Sequence, residues 1–370
     1  LNFEIFSIYD QEALNQSKTY SNSSFKFIKV NAFIKVIDKI VFFLAKNIFK
    51  KKNSQSYRYI LQRLDYLNKC SKLLKKNNYK IVILENHPTQ YLALKWRKNY
   101  LKYSGRYYYH CHNEFHGTYK CEKVIKNTKK IICVSEFIAR RLSKYNKMPN
   151  NKFVVLRNCI DTKKFSKQLS DDEKKIMKKK YGILSNDKVL LFTGRIIPEK
   201  GVKELIESLK YVKYKNYKLL ILGSALNELE IKTEYQKEIE KNVKEISDRV
   251  IFTGFIKYDE INKFYALADI AVLPSIWNDP APLTIVESLV SGLPIITTNS
   301  GGIPEYATNG SAIILQNNEK IVQNLSKSID YLLNNPLELE KMKIKAKDVS
   351  KNLTLENYYL GFVNIIKDVK

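Results

Sequence analysis

Asp269-Ile270-Ala271-Val272-Leu273-Pro274-Ser275 sets an unbroken apolar run before a Pro-Ser stop, and Trp277-Asn278-Asp279-Pro280-Ala281-Pro282-Leu283-Thr284-Ile285-Val286-Glu287 follows almost at once. A short run of this kind reads as a buried parallel strand, because both of its faces are covered. The proline-rich loop is stiff, and the apolar residues from Leu283 predict a helix that stops at Gly292. A strand, a stiff loop and a helix start make an anion site. The first helical N–H groups have no intrahelical partner there, and the helix dipole favours negative charge. Phosphate is the expected guest. The same residues admit a second explanation, since Thr284-x-x-Glu287 is also a capping box that would satisfy the helix start without any ligand.

Upstream, Val189-Leu190-Leu191-Phe192-Thr193-Gly194-Arg195 predicts another buried strand, and Val202, Leu205, Ile206 and Leu209 mark one face of the helix after it. Arg195 and Lys200 leave that strand where a ligand would lie, and a diphosphate needs such cations to offset its charge. Both oppose the dipole of a helix start, so a purely structural reason for them is hard to find. Further strands are expected at Lys218–Gly223, Arg249–Phe255, Pro294–Thr298 and Ser311–Leu315, with a helix at Asp259–Leu267. Towards the N-terminus, a helix at Tyr66–Lys76 precedes strands at Tyr79–Glu85, Tyr107–His110 and Lys130–Ser135. Strands alternating with helices predict doubly wound parallel sheets, in which ligands sit beyond the strand C-termini; His87, His112 and Ser135 fall at such ends. No G-x-G-x-x-G and no Asp-x-Asp occurs.

Asp279 and Glu287, with seven residues between them, are followed by Ser291-Gly292-Leu293-Pro294 and Ser300-Gly301-Gly302-Ile303-Pro304-Glu305. With Gly194-Arg195-x-x-x-x-Lys200-Gly201, this pattern resembles the nucleotide-sugar site of the retaining GT-B glycosyltransferases of the large group 1 family, the family 4 type. The resemblance implies an α/β fold of two Rossmann-like domains facing a cleft. It places Asp279 near the hexose of the donor and Glu287 on the ribose hydroxyls, with Arg195 and Lys200 as the diphosphate clamp. Gly194, Pro282, Leu283 and Thr284 would complete donor binding, and His112, followed by Asn113, would face the donor, with His110 the fallback. The residues implied in catalysis are Arg195, Lys200, Asp279 and His112. No cofactor and no metal are expected, because the nucleoside-diphosphate sugar is itself a substrate.

The same resemblance organises the whole chain. Phe153–Asp161 is similar to the family's last N-domain strand and its Asn-Gly-x-Asp exit, with Cys159 in the glycine's place. The charged stretch Lys163–Lys180 sustains no apolar periodicity and is read as the interdomain linker. The expected domains are 1–162 on the acceptor side, 163–352 for the nucleotide sugar, and 353–370 as a helix crossing back to the first domain. Leu1–Asp10 alternates like a strand, and in the family a first strand, a glycine-rich turn and a first helix come before it; the first domain is therefore expected to lack them here.

A net charge of +27, from 64 Lys and Arg against 37 Asp and Glu, favours a polyanionic partner unless it reflects a lysine-rich composition spread over solvated faces. Five cysteines without a C-x-x-C pair argue against a disulfide framework or zinc ribbon and fit a reducing cytoplasm. His87, His110, His112 and His116 with Cys111 and Cys121 suggest zinc, but neighbours on a strand point to opposite faces and no ligand spacing is recognisable. In Ala32–Phe49 the residues Phe33, Val36, Ile37, Ile40, Phe43 and Leu44 recur at helical spacing among lysines, and the apolar part is too short to span a bilayer. The segment is either an ordinary helix packed on the sheet or one that lies on anionic lipid with Lys46, Lys50, Lys51 and Lys52.

The function implied is retaining transfer of a hexosyl unit from a nucleoside-diphosphate sugar to a hydroxyl of a glycan or lipid-linked acceptor, as in cell-surface polysaccharide or lipopolysaccharide assembly. The partners are the nucleotide sugar, the acceptor and an anionic membrane surface, with no nucleic acid; the location is cytoplasmic, peripheral on the inner membrane face. A nucleotide-sugar epimerase of the same architecture and a basic nucleic-acid-binding protein are the other readings.

Overall fold

The computed structural model describes residues 2–50, 57–223 and 233–367, so the expected contributions of Lys51 and Lys52 lie outside the described residues. By packing, the chain divides into two compact units. The first comprises Leu1–Cys111 and Phe115–Ile132, and the second His112–Glu114 and Cys133–Asp368.

In the first unit, β1 (Phe3–Ile8) pairs in parallel with β2 (Ser23–Ile28), Phe3 lying opposite Ser23. The strand β2 is not among the sequence expectations, although Phe25 and Phe27 alternate with polar neighbours. A helix at Ala32–Phe43 runs on into a π turn at Leu44–Ile48. Asp38, fully buried on its inner side, accepts the N–H groups of Leu61 (3.0 Å) and Gln62 (2.9 Å) in the first turn of the helix Ile60–Lys76. A carboxylate at a helix start satisfies donors that the helix cannot. Strand β3 (Val82–Glu85) pairs in parallel with β4 (Tyr107–Cys111), and β5 (Ile131–Cys133) comes next in the sheet. Tyr107, Tyr108 and Tyr109 are wholly buried.

The second unit takes in β6 (Phe153–Val155), followed by a six-stranded sheet of β7 (Lys188–Thr193), β8 (Tyr217–Leu222), β9 (Val250–Gly254), β10 (Ile270–Leu273), β11 (Ile295–Thr298) and β12 (Ala312–Leu315). The order is β12-β11-β10-β7-β8-β9, and each neighbouring pair is parallel. The chain builds outward from β7 to β9, then returns to the other side of β7 and builds outward again. Helices leave β7 and β10 on opposite sides of this switch point, opening a crevice at their C-terminal ends. Val202, Leu205, Ile206 and Leu209 are fully buried, as their spacing indicates.

The stretch Lys163–Lys180, read above as a linker without apolar periodicity, is largely helical. It forms helices at Thr162–Phe165 and Asp171–Lys180. Asp161 caps the first, and the wholly buried Phe165 meets the ring of Tyr265 edge-on at 5.6 Å. Ser170 and Glu173 form a full capping box on the second, a signal present in the sequence and outweighed there by the five lysines from Lys174 to Lys180 and their neighbours' charge. The last helix, Leu355–Ile366, starts at a Thr354 cap; Thr354 bridges Ile160, and Gly361 lies against Leu156.

The capping box carries a prediction. Ser170→Ala should lower the stability of the protein by about 1 kcal/mol, and adding Glu173→Ala should cost less than the sum of the two single changes, because both report on one motif. Denaturant unfolding of the three variants measures it.

Candidate functional site

Two loops meet at the C-terminal ends of β7 and β10, and backbone hydrogen bonds stitch them together. The Glu199 carbonyl, in the turn Pro198–Lys200, accepts the N–H groups of Ile276 (3.1 Å) and Trp277 (3.2 Å) and the Ser275 hydroxyl (3.1 Å). Gly201 closes that turn at φ 70°, and a Cβ there would lie 2.0 Å from the Pro274 carbonyl oxygen, so only glycine lets the turn press this close to the strand end. From the other side, the Gly302 N–H donates to the Asp279 carbonyl (2.8 Å), the Gly301 N–H donates to Asn278 Oδ1 (3.1 Å), and a Cβ on Gly302 would meet the Pro280 oxygen at 2.1 Å.

This scaffold brings Lys200 and Asp279 together, 79 residues apart in sequence. Lys200 Nζ lies 2.5 Å from Asp279 Oδ2, with the two side chains 22% and 9% exposed. The Ala281 N–H donates to Asp279 Oδ1 at 3.3 Å, which holds the carboxylate in place. An ammonium has three donors, so the ion pair orients Lys200 without using it up. Arg195 is exposed two residues past the end of β7, and it makes no ion pair among the described residues. Phe192, Thr193, Lys200, Leu273, Ser275, Asp279, Pro282, Thr284, Ile285 and Ile303 line one narrow hollow.

The helix Leu283–Val290 starts at Pro282 with no side-chain cap. The capping-box reading of Thr284 and Glu287 therefore fails. Glu287 turns away from the helix start, and its Oε2 accepts the Tyr265 hydroxyl at 2.7 Å; that hydroxyl lies 2.7 Å from Thr193 Oγ1. Leu283 and Thr284 are left to present an uncapped helix start beside Lys200, with the positive end of the dipole facing the hollow. Desolvation raises the carboxyl pKa of Glu287 above its ordinary value, partly offset by the Tyr265 hydrogen bond and the Lys164 charge. Lys164 itself sits 4.0 Å from the centre of the Tyr258 ring and 3.1 Å from Asp259.

Tyr265 is the residue that sequence reading missed. Its partners lie 22 and 72 residues away, so no local pattern announces it. Glu305 also has an unanticipated task. Its two oxygens accept the N–H groups of Glu136 and Phe137, both at 2.7 Å, capping the helix Glu136–Asn146 beside Ser135, which accepts the Ile138 N–H at 3.4 Å. The backbone places Ser135 as a cap. Among the histidines, His110 is buried with Nδ1 3.2 Å from Glu85 Oε2, His87 accepts the Thr89 N–H at 3.2 Å, and His112, half-buried just after β4, is counted with the second unit.

Glu287 makes stability depend on pH in a definite direction. At low pH, below 4.5, the carboxyl is protonated in both folded and unfolded chains and contributes nothing. As pH rises, the unfolded chain gives up this proton first, so stability falls through the window between the ordinary and the raised value, and the loss persists above it. Glu287→Gln, which keeps an acceptor for Tyr265, should therefore match the parent at acid pH and be the more stable at neutral pH. Thermal unfolding across pH checks this; a difference that is constant with pH would contradict it.

Two family descriptions match in tandem: Glycosyl transferases group 1 over residues 173–349, and Glycosyltransferase Family 4 over residues 44–164. An uncharacterized glycosyltransferase of Methanocaldococcus jannaschii is 26% identical over 247 residues, covering 64% of this chain and 59% of the relative. The lipopolysaccharide 1,2-N-acetylglucosaminetransferase of Salmonella typhimurium is 24% identical over 233 residues, covering 62% and 57%. The matched span is thus under two thirds of the length of these relatives. In fold, the crystal structure of HepE from Anabaena in complex with UDP-glucose superposes with a TM-score of 0.73 at 15% identity, over 98% of this chain and 91% of that one. Parallel sheets of Rossmann type and the two matches in tandem support a group 1 glycosyltransferase, and the likeness to HepE shows the GT-B fold.

Proposed function

We propose that this protein transfers a hexosyl unit from a nucleoside-diphosphate sugar to a hydroxyl of a glycan or lipid-linked acceptor, with retention at the anomeric carbon. The observation that carries the reading is the convergence of Lys200, Asp279 and the bare start of the helix Leu283–Val290 on one hollow at the switch point. The complex of HepE with UDP-glucose supports a nucleotide sugar as donor, and the activity of the Salmonella relative supports a glycan acceptor of the lipopolysaccharide or cell-surface polysaccharide kind.

In this reading the diphosphate rests against the Leu283 and Thr284 amides, with Pro282 shaping the loop and Gly194 leaving room at the end of β7. Positive charge opposite the leaving group comes from Arg195, Lys200 and the helix dipole, so the reaction needs no metal in this role. Glu287 holds the ribose hydroxyls; these replace water as partners for a carboxylate that burial otherwise penalises. Asp279, fixed by Lys200 and Ala281, is assigned to the hexose, and His112 to the donor as well. No side chain is assigned as a covalent nucleophile. The leaving diphosphate takes the acceptor proton on the face it departs from, so the protein positions the reactants and stabilises charge. Among the described residues, no helix is long and apolar enough to cross a membrane. We place the enzyme in the cytoplasm, peripherally on the inner membrane face.

A donor-hydrolysis screen over common nucleotide sugars identifies the substrate, and the Lys200→Ala variant then tests the assignment. Because the lysine matters most as charge builds on the leaving group, kcat at saturating donor should fall by about 10² or more. Unchanged turnover would overturn the role of Lys200.

A further inference from the structure

The helix Ala32–Phe43 carries apolar residues around much of its circumference, and the structure shows which of them it hides. Ile34, Ile37, Val41 and Phe42 face inward and are half-buried, beside the fully buried Asp38. Phe33, Val36, Ile40 and Phe43 are 69%, 55%, 52% and 57% exposed. At about 100° per residue these four fall within an arc of roughly 80°, so they form one continuous ridge. Beyond the ridge, Ile48 and Phe49 are 60% and 65% exposed. The rotation that turns the ridge outward is fixed, because Asp38 on the opposite face accepts two amides of the next helix and cannot leave them without exposing unpaired donors.

The charges around the ridge are one-sided. Lys35 and Lys39 lie along one flank, Lys46 and Lys50 follow, and the only acid between Asn31 and Lys50 is the buried Asp38.

We propose that this ridge docks on an anionic membrane surface, with Phe33, Val36, Ile40 and Phe43 entering the boundary between headgroups and acyl chains and the lysines meeting lipid phosphates. An amphipathic helix with a large apolar stripe and a basic edge is built to lie in that plane. A second copy of the chain fits less well, since a two-fold contact through the ridge would bring two sets of lysines together with no acid to separate them. A nucleic acid would find phosphate-binding lysines but also bulky apolar side chains at the centre of the contact, which it cannot cover. Each lysine held near an anionic surface is worth about a fivefold gain in partition, and the apolar side chains add a contribution that salt does not screen. The inference deepens the peripheral placement proposed above by naming the surface that would make it; it stands on the helix alone, so its failure would leave the reaction assigned above untouched.

The test is cosedimentation of the full chain with phosphatidylcholine vesicles, with and without about 30% phosphatidylglycerol. Binding should rise with the anionic lipid. It should fall at least about tenfold in Phe33→Ser/Ile40→Ser/Phe43→Ser, whose changes are all at exposed positions and should leave the circular dichroism spectrum unchanged. In Lys35→Gln/Lys39→Gln/Lys46→Gln the preference for anionic over neutral vesicles should shrink while residual binding persists. A tryptophan at position 40, from Ile40→Trp, should shift to the blue on vesicles and be quenched by lipids brominated in the acyl chain. The proposal is overturned if no vesicles bind, if the serine variant binds as well as the parent, or if the tryptophan is not quenched. It is equally overturned if the parent is a dimer that the serine variant converts to a monomer, because the ridge is then covered by a second copy.

Discussion

The salt bridge between Lys200 and Asp279 joins the two loops on which the candidate site depends. A pair this short and this far from water is a poor device for stability, because desolvating both ions offsets much of their attraction. Its effect is geometric. It holds an ammonium and a carboxylate in one hollow, at the meeting point of a turn after β7 and a loop after β10, and it needs the backbone stitching of Glu199, Gly201 and Gly302 to bring the two side chains within reach. The six-stranded sheet supplies the rest of the constraint, since its reversal of direction at β7 and β10 is what opens a crevice there.

A second tension lies a turn further along the helix. Glu287 is buried with one hydroxyl partner from Tyr265, and burial penalises its ionised form. A fold selected for stability alone would spend this residue on the capping box that its position beside Thr284 offers. Instead the helix start is left bare and the carboxylate is aimed into the protein, so two features that cost stability sit next to each other where a ligand with phosphates and hydroxyls would satisfy both.

How much of this the sequence shows depends on how local each signal is. The strands β7, β8 and β10 carry continuous apolar runs, legible because both faces of a parallel sheet are covered. Arg195 and Lys200 stand out because their charges are hard to explain structurally, and Asp279 by its spacing to Glu287; the structure does unite Lys200 and Asp279. Tyr265 and the capping role of Glu305 are invisible locally, since each acts on partners far away in the chain. The helices within Lys163–Lys180 are hard to see because charge density hides a capping box, and the buried Phe165 draws on contacts with Tyr265 a hundred residues on. The helix Ala32–Phe43 is apolar on two faces, so periodicity alone cannot say which face is inside; the buried Asp38 decides it, by pairing with amides more than twenty residues away.

The central claim is that the crevice of the second unit binds a nucleoside diphosphate through built contacts and not through the chain's general positive charge. Calorimetric titration of nucleoside diphosphate into the protein and into Glu287→Gln, at about 50 mM and again at about 500 mM salt, separates the two directly. The account predicts saturable one-to-one binding that survives the higher salt and weakens at least about tenfold in the variant. Binding that vanishes at high salt, or that is equal in the two proteins, would contradict it.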